Sequence, residues 1–225
     1  MYNQSSKRQL NHITEIIDLF DHKSSFGFHG SETIFVGGTG GILQGKPLIC
    51  GGAKYSVMGK NIYDVLPDAY SVLPKHENKK LSKKQKLLQN INGEMLDERA
   101  YFASVTLNIN QYTTNLWVTG GLGRQKTKSI STSEFVLIRD ALDLDDKNEP
   151  SEIQQIDSIE GPNLPFTLAY HGMVKVSENA VYIIGGRQND EISKDVWIVD
   201  PTDDYSIIKG PSLKTSRYFF YLLRQ

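Results

Sequence analysis

The chain carries five histidines, His12, His22, His29, His76 and His171, and a single cysteine, Cys50. These are the side chains that most readily supply a general base, a nucleophile or a metal ligand near neutral pH. Their spacing supports none of those roles. No HxH, HxxxH or HExxH pattern sets two histidines on one face of a strand or helix, so a metal site has no local support. Cys50 closes the apolar run "PLIC" with no His or Asn constellation beside it, which reads as a buried, inert thiol. One cysteine also excludes an internal disulfide framework and a structural zinc cluster. The glycine-rich "GGTGG" at 37–41 could cradle a phosphate, but "ILQGKPLICGG" follows it, not a helix, which argues against a P-loop or dinucleotide site. The expectation is no catalytic residue, no metal and no cofactor.

Charge excludes further classes. Across 225 residues the net charge is −1, which gives no global pull toward nucleic acid or an acidic membrane. Six lysines crowd into "KHENKKLSKKQK" at 75–86, within an insert spanning 75–94. A nucleic-acid surface would interleave aromatics with such a run; without them it reads as a solvated loop. A second insert, 139–160, carries eight acidic residues. No stretch approaches the roughly 20 apolar residues needed to cross a bilayer, and residues 1–25 hold no secretory h-region. A cytoplasmic protein without nucleic-acid or membrane partners is expected.

The elements that must position any site are short. Leu10, Ile13, Ile17 and Phe20 stand at helical spacing, which predicts one amphipathic helix over 7–22 within an N-terminal tail of 1–24. From residue 25 to 225 the pattern becomes runs such as "TIFV", "NLWVTGG", "AVYIIGG" and "DVWIVD", rich in β-branched and aromatic residues and bounded by Gly, Pro, Asn and Asp. The body is predicted to be all-β.

Self-similarity organises that body. "KPLICGG", "LWVTGG" and "VYIIGG" each run apolar residues into a glycine pair: Gly51-Gly52, Gly120-Gly121 and Gly185-Gly186. Glycine costs a strand packing and backbone entropy, so something must require it there. Between the pairs, "EMLDERAYFASVTL", "PNLPFTLAYHGMVKV" and "PSLKTSRYFFYLL" align Arg99 with Leu168 and Arg217, and Phe102 with His171 and Phe220. The first glycine precedes the Arg/Leu position by 48 residues twice (51 to 99, 120 to 168), and "GPNL" and "GPSL" lie 49 apart (161 to 210). A further match sets Asp64 with Asp200 and Tyr70 with Tyr205. A repeat of about 50 residues with four short strands and a Gly-Gly is the signature of a β-propeller blade.

The pattern resembles the kelch repeat, and the chain is similar to divergent members of the kelch-like family over roughly residues 30–225. The resemblance implies a kelch-type β-propeller of about three to four four-stranded blades. Three units and one strand of a fourth can be counted, so a partial propeller or an incomplete chain is expected, with open edges able to self-associate. The resemblance further implies a protein-binding scaffold, such as substrate recognition for a cullin-based ubiquitin ligase or actin binding. No BTB-like segment fits in the chain, so an adaptor role would need more than these residues. The alternative is a propeller enzyme of the sugar oxidase or isomerase type, against which the scarcity of histidines in the repeat weighs. Loops following the glycine pairs should emerge on one face, which makes Lys54, Tyr55, Arg124, Lys126, Arg187 and Asn189 the candidate partner-facing residues. Arg99 and Arg217 are expected to bond carbonyls or acids between blades. His171, with phenylalanines as repeat-mates, is expected to be a packed histidine.

Overall fold

The structure is a computed structural model that describes residues 13–18, 23–28, 33–43, 46–56, 63–65, 68–72, 88–109, 113–124, 128–144, 150–189 and 191–218. Among these, every regular element is a β-strand. The first seven are β1 (Ile13–Asp18), β2 (Lys23–Phe28), β3 (Thr33–Val36), β4 (Thr39–Leu43), β5 (Lys46–Cys50), β6 (Ala53–Ser56) and β7 (Tyr63–Val65). Next come β8 (Asp68–Val72), β9 (Leu88–Glu94), β10 (Ala103–Asn108), β11 (Thr114–Thr119), β12 (Ser133–Leu144) and β13 (Pro150–Glu160). The last are β14 (Leu168–Ala169), β15 (Gly172–Ser177), β16 (Ala180–Ile184), β17 (Arg187–Gln188), β18 (Glu191–Ile192), β19 (Val196–Asp200) and β20 (Ser206–Lys209).

Three antiparallel four-stranded units dominate: β4-β5-β8-β9, β10-β11-β12-β13 and β15-β16-β19-β20. Units one and two meet through their last strands, where β9 and β13 run parallel at Asn92 and Gln155. Two small sheets, β3-β6-β7 and β14-β17-β18, join the segment before a unit to the one that follows its glycine pair. Local sequence explains the strand types. In β10, "ASVTLN", Ala103, Val105 and Leu107 are buried while the residues between them are more open, the period of a half-buried strand. Its neighbour β11 is buried from Asn115 to Thr119, because it has a unit on either side.

The core lies between units. Leu43, Leu48 and Cys50 of unit one cluster with Leu116, Val118 and Val136 of unit two. Val105, Trp117 and Phe135 of unit two cluster with Met173, Val181 and Ile183 of unit three. Each large apolar side chain buried there contributes about 1.5–3 kcal/mol, so these two interfaces hold the array together.

Three expectations are corrected. Residues 13–18, predicted as helix, form β1, which pairs with β2 from Ile13↔Phe28 to Asp18↔Lys23. Four of the six residues (Ile13, Thr14, Ile16, Ile17) are β-branched; such side chains favour a pleated surface, and a short isolated helix bears a nucleation cost that strand pairing avoids. Residues 1–12 and 19–22 lie outside the described residues. The acidic insert 139–160 is the long hairpin β12–β13, registered from Glu134↔Glu160 to Leu144↔Pro150. Leu142, Leu144, Ile153, Ile156 and Ile159 lie within the run, and the eight acidic residues among them obscured its strand character. In the other insert, 88–94 is β9, the last strand of unit one, whereas the lysine run lies outside the described residues. Both inserts therefore lengthen the same connection, third to fourth strand.

The third correction concerns repeat alignment. Tyr70 pairs with Ile49 as Trp197 pairs with Ile183, so Tyr70 is the counterpart of Trp197 and not of Tyr205. Asp64 belongs to β7 in a small sheet, so it is not the counterpart of Asp200. A single sequence cannot distinguish the two strands of "NIYDVLPDAYSVLP"; the register does.

Candidate functional site

The glycine pairs make one bend three times. Gly51, Gly120 and Gly185 have φ of 60°, 59° and 57°, and Gly52, Gly121 and Gly186 have 102°, 104° and 90°. These are dihedrals that side chains disfavour. Space forbids a side chain as well: a Cβ on Gly121 would stand 2.8 Å from the Ala100 carbonyl oxygen, and one on Gly186 would stand 2.7 Å from that of Ala169. The bend aims the second glycine's N–H at the next segment. Gly52 donates to Arg99 O at 2.8 Å, Gly121 to Leu168 O at 2.7 Å and Gly186 to Arg217 O at 2.7 Å. Surrounding bonds repeat too: Gly120 and Gly185 donate to Thr132 O and Asp195 O, while Leu164 and Leu213 donate to Ser131 O and Lys194 O.

Two residues beyond Arg99 and Leu168, the chain forms a row of positive φ. Tyr101 (56°) donates its N–H to Gly37 O (φ 72° at Gly37) at 2.6 Å, and Tyr170 (58°) donates to Tyr101 O at 2.7 Å. The two tyrosine rings lie 4.7 Å apart, and the Tyr218 ring is 6.3 Å from that of Tyr170. A left-handed tyrosine is unusual and costs energy. This row was absent from the sequence-based site, although "RAYF" and "LAYH" share their Ala-Tyr.

Beside the row, Arg99 is fully buried. Its Nη2 meets Glu134 Oε1 at 2.8 Å and Asp97 Oδ2 at 3.0 Å, and its Nη1 donates to Gly120 O at 2.9 Å and Thr132 O at 3.1 Å. Glu134, itself buried, accepts from Leu96 N at 2.7 Å. Thr132 Oγ1 donates to Asp97 Oδ2 at 2.5 Å. Two opposite charges out of water hold only when paired and hydrogen-bonded, as these are. Glu134 was also missed; its signal is an acid opening the otherwise apolar run "SEFVLI".

The groups that could do chemistry are quenched. Burial, and secondarily the Glu134 charge, raises the Cys50 thiol to about 12, with Arg99 opposing. Such a thiol is not a thiolate near neutrality. Burial, and secondarily Arg99, lowers His171 to about 3. Its Nε2 lies 2.9 Å from Thr119 Oγ1, and its Nδ1 has no partner. The ring is therefore neutral. Among the described residues, no three His, Cys, Asp or Glu side chains are grouped to hold a metal ion.

The candidate partner-facing residues have varied placements. Lys54 and Tyr55 lie on β6, between β3 and β7. Arg124 is 87% exposed, with Nε 3.8 Å from Glu98. Arg187 is half-buried on β17, across from Ala169 and Ile192. Asn189 turns back on the fold: its Oδ1 accepts from Thr167 N at 3.2 Å, and its N–H donates to Thr167 O at 3.1 Å. Lys126 lies outside the described residues. Backbone pairing links the segments of Arg124 and Arg187, since Leu122 bridges Ser129, Ile130 bridges Leu168, and Leu168 pairs with Gln188.

No family model and no curated protein matches the chain. Among solved structures it is similar to that of YjhT, with TM-score 0.59 and 10% sequence identity, over 92% of this chain and 64% of that one. The chain thus spans less than two thirds of that protein's length, and at this identity the likeness is one of fold alone. Among the described residues no helix is long and apolar enough to cross a membrane.

Proposed function

We propose that this chain is a segment of a kelch-type β-propeller and acts as a non-enzymatic scaffold for binding other proteins. In this reading each four-stranded unit is a blade, and the row Gly37, Tyr101, Tyr170 runs around the propeller axis. The observation that supports it is the glycine bend, repeated three times with matching dihedrals and the same hydrogen bond. It sets the segments after each glycine pair side by side on preformed backbone, which lowers the ordering cost of capturing a partner. Exposed Arg124 and half-buried Arg187 give that surface basic character, suited to an acidic peptide. The quenched states of Cys50 and His171 favour binding over catalysis.

The test is quantitative affinity capture with the full chain against a variant carrying Arg124→Glu and Arg187→Glu. Partners enriched by the wild type and lost by the variant are expected; identical partner sets would remove this surface. Stoichiometric copper or iron in the purified protein would instead favour the oxidase reading.

A further inference from the structure

Gly37, Tyr101 and Tyr170 hold one bend, with φ of 72°, 56° and 58°. At the first place glycine meets that bend without strain, so the bend itself asks for no ring. Tyrosine at the other two is strained, and strain of this kind is kept where the side chain serves something beyond the turn. The two rings lie 4.7 Å apart and tilted by 37°, and Tyr218, 48% exposed, sets its ring edge-on to that of Tyr170 at 6.3 Å. Tyr101 backs the strip, packed on Ala53, Ala100 and Gly37. Rings this close leave no room for another between them, so the three form a surface and not a slot.

The backbone brings an arginine near each ring. Ala100, next to Tyr101, bridges Leu122, two residues before Arg124; Ala169, next to Tyr170, pairs with Arg187; and Arg217 precedes Tyr218. Arg124 and Arg217 are exposed and Arg187 is half-buried. The acids nearest in sequence, Asp97 and Glu98, are paired with Arg99 and Arg124. The strip is thus aromatic along its length and cationic where these segments adjoin it.

We propose that this strip takes an acidic peptide in polyproline II form, with prolines on the tyrosine rings and carboxylates on the flanking arginines. The inference rests on the scaffold reading above and deepens it. A polyproline II helix turns once in three residues and rises about 9 Å in doing so, a length comparable with rings stepped at 4.7 and 6.3 Å. Prolines three apart therefore share one side, and acids between them point to the other two. Aromatic surfaces are what such helices dock on, and their preset backbone leaves little to order on binding. Guanidinium groups take carboxylates in paired, charge-assisted hydrogen bonds.

The test is fluorescence anisotropy with a labelled peptide carrying Pro-Asp-Asp-Pro, titrated with the full chain. Beside it stand two further peptides, one with both prolines replaced by alanine and one with both aspartates replaced by asparagine. The parent peptide is expected to bind, and each replacement to weaken it at least about tenfold. Tyr170→Gly keeps the left-handed backbone without strain, and Tyr218→Ala changes an exposed position, so both variants should unfold close to the wild-type midpoint. Both should lose the preference for proline over alanine while keeping that for aspartate over asparagine, a split that a merely structural role for the rings would not give. Equal binding of the proline and alanine peptides would overturn the proposal. So would the lack of saturable binding, or a proline preference unchanged in both variants. Should Arg124→Glu and Arg187→Glu abolish partner capture while no proline preference exists, the scaffold reading stands and this one falls.

Discussion

The junction between units one and two and the surroundings of Arg217 share a backbone and differ in everything attached to it. At both places a glycine N–H reaches the carbonyl of an arginine, at 2.8 Å from Gly52 and 2.7 Å from Gly186. At the first, the guanidinium is buried among Glu134, Asp97, Thr132 and Gly120; at the second it is exposed. The intermediate junction is a third variant: Leu168 takes the arginine place, Trp197 takes the place of Glu134, and both belong to one apolar cluster. The bend therefore does not depend on the side chain. What stands on it is selected by what the following unit offers: an acid opposite arginine, an indole opposite leucine.

The strongest way to break that comparison is Arg99→Leu alone. It leaves Glu134 buried without its cation, and such losses cost about 3–5 kcal/mol. Adding Glu134→Leu should recover most of the loss, because an apolar pair replaces the ion pair as Leu168 and Trp197 already do; chemical denaturation of the single and double variants measures both. Gly120→Ala comes next. A methyl group would clash with the Leu168 carbonyl at a φ of +59°, and an expected loss of about 1–3 kcal/mol would show in the same experiment.

A pH titration gives a similar effect by another route. The folded pKa of His171, about 3, lies below its unfolded value of 6.5, so the unfolded chain takes up the proton first. Its contribution is complete above pH 6.5 and is lost as pH falls from there toward 3. Relative to His171→Phe, the residue type of its repeat-mate Phe102, the wild type should lose about 2 kcal/mol between pH 7 and pH 5. Thermal melts at both pH values check this. Arg217→Met is the smallest expected change: the side chain is exposed, so stability should stay within about 0.5 kcal/mol.

Legibility from sequence followed the strength of local constraint. The all-β class was readable because β-branched and aromatic runs between turn residues have a period that a single strand imposes. The glycine pairs were readable because two successive positive-φ residues, crowded by neighbouring carbonyls, strongly favour glycine. The alignment of Arg99, Leu168 and Arg217 was visible from spacing, although their identities differ. Glu134 was not readable as half of a buried pair, because its partner is 35 residues away (99 to 134) and joins it only through packing. The β12–β13 hairpin was hidden by its charge, and the strand at 13–18 by an apolar spacing that suits a helix as well as a sheet. Tyr101 and Tyr170 became notable only with their positive φ.

By itself the sequence determined the bends at the glycine pairs and the all-β character of the body, since both follow from the backbone freedom and side-chain shape of adjacent residues. It also determined the scarcity of reactive groups. Only the tertiary structure decided which faces close, which arginine is buried and that Tyr70 of unit one is the counterpart of Trp197 of unit three. Those outcomes depend on register and on the neighbouring unit, and the free energy of a contact between units belongs to neither strand alone.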